Sequence, residues 1–116
     1  FQIRNEWDKT KIVGYSIEYL EQLNNNETIV SNYLGVSPVF QTTTKTDTVT
    51  EWGLEGIRKI RSLTTKPLVA IGNMNLGNAA SVIQAGANCI AVVSAICSAN
   101  NPEKAAFALK QAIINA

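Results

Sequence analysis

Four short apolar stretches punctuate the chain: Ile12–Ser16 (IVGYS), Tyr33–Ser37 (YLGVS), Leu68–Gly72 (LVAIG) and Ile90–Ser94 (IAVVS). Each is apolar almost throughout, the pattern of parallel strands covered on both faces. Each ends in a small residue. Between them the period becomes helical. Trp52, Leu54, Ile57, Ile60 and Leu63 recur with Glu55, Arg58, Lys59 and Arg61 interleaved, which predicts an amphipathic helix. Asn78, then Ala79, Val82, Ile83 and Ala85, then Gly86 predict an N-cap, a short helix and a glycine stop. Asn101, Pro102 and Glu103 predict a cap, a proline-initiated first turn and an acid placed to suit the helix dipole, followed by a stripe of Ala106, Leu109, Ala112 and Ile113. A helix is also expected over Ile17–Leu23, interrupted by the run Asn24, Asn25, Asn26, and Phe1–Trp7 reads as the end of a helix.

The order is thus a helix end followed by strand and helix in repeated alternation, with strand starts about 21, 35 and 22 residues apart. Such alternation means parallel strands joined by helical crossovers, in an open doubly wound sheet or a barrel. A (β/α)8 barrel needs roughly 200 to 250 residues, and this chain has 116. The expected fold is α/β: residues 1–116 as the C-terminal half of a TIM barrel, the last helix turn of unit four followed by units five to eight, with the N-terminal half absent from this chain.

In either architecture ligands gather at the C-terminal ends of the strands. The positions to inspect are therefore Ser16, the segment 41–47 (QTTTKTD), Gly72–Asn73–Met74 and Val93–Ser94–Ala95. They carry hydroxyls, small residues and the cation Lys45, a composition suited to holding phosphate oxygens. A polar loop and close-turning strand ends would account for each position taken singly; their agreement favours an anion site. Thr48 or Thr50 is expected to cap the helix that follows.

Composition narrows the function further. Ten basic and nine acidic residues are scattered along the chain for a net charge of +1, which argues against nucleic acid or an anionic membrane as partner. No apolar run is long enough to span a bilayer, and the first residues lack the pattern of a signal peptide; the expected address is the cytosol. Cys89 and Cys97 lack metal-ligand spacing and read as reduced, mostly packing cysteines. The chain contains no histidine, which removes the commonest general base.

Taken in order, YLGVSPVFQTTTKTD, GLEGIRKI, PLVAIGN, NAASVIQAGAN and IAVVSAI resemble the thiamine-phosphate synthase family. The resemblance implies a (β/α)8 barrel that joins hydroxymethylpyrimidine diphosphate to thiazole phosphate, giving thiamine phosphate and diphosphate with Mg2+. It implies that Ser16 and Lys45 contact the pyrimidine diphosphate, with Lys45 as the catalytic cation. Thr42, Thr43 and Thr44 would hold the thiazole phosphate with backbone amides around Asn73, Val93 and Ser94. The sequence departs from the family pattern twice, at Gln41, where proline is usual, and at Asn73, the usual second glycine. Asp8 and Asp47, the aspartates of this chain, do not stand where the family places its metal ligands, so Mg2+ is expected to be held by the N-terminal half. Two further readings stay open: a non-catalytic half barrel that binds phosphate and self-associates as a homo-oligomer, and a thiazole tautomerase, whose expected strand-end histidine this segment lacks. The isolated half is expected to be inactive.

Overall fold

The computed structural model describes residues 11–40 and 51–116. The described residues hold the strands β1 Gly14–Ile17, β2 Tyr33–Val36, β3 Leu68–Ile71 and β4 Cys89–Ala91. The helices are α1 Asn26–Val30, α2 Gly53–Leu63, α3 Ala79–Ala85, α4 Ser94–Cys97 and α5 Pro102–Ile114. The strands pair in the order β1-β2-β3-β4, each pair parallel. The expected α/β alternation is present. The segment 1–7, read as a helix end, lies outside the described residues, as do Thr48 and Thr50. The N-cap of α2 is Trp52, with no side-chain cap bond.

The register divides the sheet into two faces. Ile17, Val36, Ala70 and Ile90 are partners in one row, and Ser16, Gly35, Val69 and Cys89 in the next. Successive residues of a strand point to opposite sides, so the first row, with Leu34 and Leu68, faces the helices. There Ile17, Leu34, Val36, Leu68 and Ala70 are fully buried and pack in one cluster with Ile57, Ile60 and Val82. The second row is covered only in part: Ser16, Cys89 and Ala91 are exposed, and Val69 and Ile71 half-buried. Cover on both faces, as the uninterrupted apolar strands suggest, is therefore met on one face alone among the described residues. Cys89 and Cys97 are free, as expected, but both are exposed. Neither is buried as a packing residue, and Cys89 falls on the row that no helix among the described residues covers.

Between β1 and β2 the expected helix over Ile17–Leu23 is replaced. Ile17 ends the strand, a 3-10 turn covers Leu20–Asn24, and α1 begins after Asn25. Asn25 interrupts the helical run, as expected, and also caps its second part: its side chain accepts from the Thr28 amide at 3.0 Å. The predicted cap of α5 is present, with Asn101 Oδ1 accepting from the Lys104 amide at 3.1 Å. Gly86 follows α3 at φ 133°, the expected glycine stop.

The N-terminal edge of the sheet is pinned by side chains. Asn32 Oδ1 accepts from the Val13 amide at 2.7 Å, and the Asn32 amide returns a bond to the Val13 carbonyl. Asn88 Oδ1 accepts from the Leu68 amide and from Arg61 Nη1, and Arg61 Nη2 donates to the carbonyls of Thr64 and Lys66. Lys66 Nζ donates to the Ser31 carbonyl at 2.6 Å. These bonds satisfy backbone groups that the strands leave unpaired at their starts, and they fix one end of the sheet as structural.

Candidate functional site

At the opposite edge the chain leaves β2 through Ser37–Pro38–Val39–Phe40, and this segment is stitched on two sides. The Val39 amide donates to the Ile71 carbonyl at 2.8 Å and the Phe40 amide to the Gly72 carbonyl at 3.3 Å. On its other side the Trp52 and Gly53 amides donate to the Pro38 and Val39 carbonyls at 2.9 and 2.7 Å, and Trp52 Nε1 to the Ser37 carbonyl at 3.2 Å. The residues flanking 41–50 are thereby fixed against each other and against the end of β3. Thr42, Thr43, Thr44 and Lys45 themselves lie outside the described residues.

Gly72 is where these pieces touch. Its φ is 117°, and a Cβ there would stand 2.9 Å from the Val39 nitrogen and 3.1 Å from the Phe40 carbonyl oxygen. Both the backbone conformation and the approach of the neighbouring strand exclude a side chain. Asn73 follows at φ 51° and is exposed, so asparagine holds the left-handed geometry at the position where the family pattern has glycine. Asparagine is among the residues that tolerate it best.

The structure brings some of the expected residues together and sets one apart. Ile71 pairs with Ala91 across β3 and β4, so Asn73 and Val93 each lie two residues beyond that pair, on neighbouring strand ends. Val93 and Ser94 are both exposed and open the short helix α4. Ser16, expected just after its strand, is instead inside β1 and paired with Gly35. A Cβ on Gly35 would sit 3.2 Å from Ser16 Oγ and 3.3 Å from Ile71 Cδ1, so the Ser16 hydroxyl lies on the open face, below the strand ends.

Two contributions escape the sequence reading. One is the Trp52 indole bond to Ser37; the alternation of apolar residues marks Trp52 only as part of the helical stripe. The other is Asn78, which stands at the predicted cap position but makes no side-chain bond into its helix. Its Oδ1 accepts from the Asn75 amide at 2.9 Å and its Nδ2 donates to the Asn73 carbonyl at 3.0 Å. The spacing of three asparagines at 73, 75 and 78 was the available signal.

Among the described residues no group of three or more His, Cys, Asp or Glu side chains converges. No helix among them is long and apolar enough to cross a membrane.

The comparisons with known proteins agree with this geometry. The sequence profile described as thiamine monophosphate synthase matches residues 1–96. The thiamine-phosphate synthase of Albidiferax ferrireducens is 52% identical over 101 residues, which cover 87% of this chain and 46% of that protein. That of Leptospira biflexa is 49% identical over 106 residues, covering 88% and 50%. The solved thiamine phosphate pyrophosphorylase of Pyrococcus furiosus superposes with a TM-score of 0.85 at 35% identity, covering 98% of this chain and 54% of that one. The chain spans about half the length of the curated relatives it matches. Its four parallel strands and their helices are four units of the (β/α) barrel, and the chain belongs to the thiamine monophosphate synthase family.

Proposed function

We propose that this segment forms the thiazole-phosphate side of a thiamine-phosphate synthase site, in a polypeptide whose other half carries the remaining ligands. The observation that carries the proposal is the stitched strand edge. Ser37–Phe40 is bonded to Ile71 and Gly72 on one side and to the start of α2 on the other, where the family motifs fall. On this reading residues 1–116 supply units five to eight, and Thr42, Thr43 and Thr44 bind the thiazole phosphate with the amides around Asn73, Val93 and Ser94.

The reaction asks for charge stabilisation more than proton transfer. The bond between the pyrimidine methylene carbon and the diphosphate oxygen breaks, and diphosphate leaves with the electron pair. The thiazole nitrogen then gives its lone pair to that carbon, forming the C–N bond and a thiazolium. Lys45, as the cation of the segment after β2, offsets charge that grows on the departing diphosphate, an interaction strongest in the transition state. Ser16 adds a hydroxyl donor from the open face. Magnesium, on this reading, is held by residues outside this segment, and the protein works in the cytosol.

The test uses the complete polypeptide with both substrates and Mg2+, following thiamine phosphate. Turnover is expected, and Lys45→Ala is expected to lower kcat by about a hundredfold, the scale of losing one charge-stabilising group. Unchanged turnover would remove Lys45 from the chemistry. Failure of the unaltered protein to form thiamine phosphate would overturn the assignment.

A further inference from the structure

We infer that Asn78 is a positioning residue, which holds the Asn73 backbone in the conformation that presents its amide to the phosphate. This rests on the phosphate reading above. The two peptide planes that meet at the Asn73 Cα are each held by a separate bond. The plane before it contains the Gly72 carbonyl, which accepts from the Phe40 amide at 3.3 Å. In a trans peptide the N–H points opposite to the C=O, so fixing that carbonyl directs the Asn73 amide away from Phe40. The plane after it contains the Asn73 carbonyl, which accepts from Asn78 Nδ2 at 3.0 Å. The remaining atom of the Asn78 amide, Oδ1, accepts from the Asn75 amide. Each partner of Asn78 can play one role only, carbonyl as acceptor and amide as donor, so the orientation of its side chain is determined.

An asparagine at the start of a helix ordinarily accepts from an amide two or three residues ahead. Asn78 forgoes that bond and spends both ends of its side chain on the turn behind it. The turn contains a non-glycine residue at φ 51°, a conformation that costs an L-residue roughly 1–2 kcal/mol, less for asparagine. Glycine at 73 would reach that conformation without help; asparagine there makes the clamp consequential. Met74 is buried beyond the turn, and the Asn78 bond is what holds the Asn73 carbonyl itself against the commoner right-handed geometry, which would swing the amide out of line.

The experiment uses Asn78→Ser in the complete polypeptide. Serine is a good cap, so the helix start is retained, but its side chain is too short to reach the Asn73 carbonyl. The KM for thiazole phosphate is expected to rise roughly tenfold, the loss of about one hydrogen bond to a charged group, with kcat and the KM for the pyrimidine diphosphate within about twofold. Binding of the dephosphorylated thiazole alcohol should not change. Adding Asn73→Gly to Asn78→Ser is expected to restore most of the affinity, which a role confined to starting the helix would not produce. Should Asn78→Ser fail to accumulate, Asn78→Thr carries the same comparison, since it is also a good cap, is uncharged and is too short to reach the Asn73 carbonyl.

A thiazole phosphate KM that stays within about twofold of the unaltered protein, or a loss that glycine at 73 does not repair, overturns the inference. The underlying reading is checked separately in the unaltered, 15N-labelled protein. There the Asn73 amide resonance should move when thiazole phosphate is added and stay when the alcohol is added. A shift present in that protein with no effect of Asn78→Ser sinks the clamp alone; no shift sinks the phosphate assignment with it.

Discussion

The two faces of the four-stranded sheet are built on different principles. Toward the helices stand Ile17, Leu34, Val36, Leu68 and Ala70, all fully buried and in contact with Ile57, Ile60 and Val82. On the other side stand Ser16, Gly35, Cys89 and Ala91, small residues, with Val69 and Ile71 among them only half-buried. The first face is where burial supplies stability. The second leads upward to the strand ends, where hydrogen bonds hold the backbone of Ser37–Phe40, Gly72 and Asn73, and Val39 alone of these is buried in the core cluster. Stability and the candidate site are thus carried by opposite sides of the same strands, so substitutions on the two sides should fail in different ways.

The largest effect is expected on the packed face. Leu34→Ala removes a fully buried side chain and should cost about 3–5 kcal/mol in denaturant unfolding of the complete protein. A loss below about 1 kcal/mol would mean that this cluster is not where stability resides. Next is Gly72→Ala, which places a Cβ against the Val39 backbone in a conformation that favours glycine; about 2 kcal/mol is expected, together with a raised KM for thiazole phosphate. Were stability to fall with no change in KM, the junction would belong to the packed face after all.

Smaller still is Trp52→Phe. It keeps most of the ring and loses the indole bond to the Ser37 carbonyl, for about 1 kcal/mol; a larger loss of turnover than of stability would tie this bond to the segment it flanks. The smallest stability change is expected for Ser16→Ala, within about 0.5 kcal/mol because the residue is exposed. Its KM for the pyrimidine diphosphate should nevertheless rise. Equal, negligible changes in both would leave the open face without a binding role at Ser16.

Much of the architecture was legible in the amino-acid order because it rests on local periods. The stripe Leu54, Ile57, Ile60 alternating with Glu55, Arg58 and Lys59 can bury one face only as a helix, and α2 runs over Gly53–Leu63. Asn101 with Pro102 and Glu103 marked the start of α5. The strand between Leu68 and Ile71 was equally plain. The boundaries around β1 were not. Ile12 belongs to no strand and is exposed, whereas Ile17 closes β1 and is buried. Both are isoleucine in an apolar context, and only the pairing of Gly14 with Tyr33 sets the register that turns one inward. The break at Asn25 was legible but its capping role was not, for a related reason: a short amide side chain caps the next helix only when an amide comes within reach.

What the sequence determined by itself is the order of strand and helix and, through its motifs, the family. These follow from hydrophobic period, from cap and stop residues and from motif order, all of which act over a few residues of chain. What the tertiary structure decided is which side of each strand is covered, that Ser16 lies within its strand, that both cysteines are exposed, and that Asn78 reaches back to Asn73 instead of capping its helix. Each of these depends on segments distant in sequence or on a turn closing in space. Hydrogen-bond partners and burial are assigned only when the chain has brought those groups to within about 3 Å.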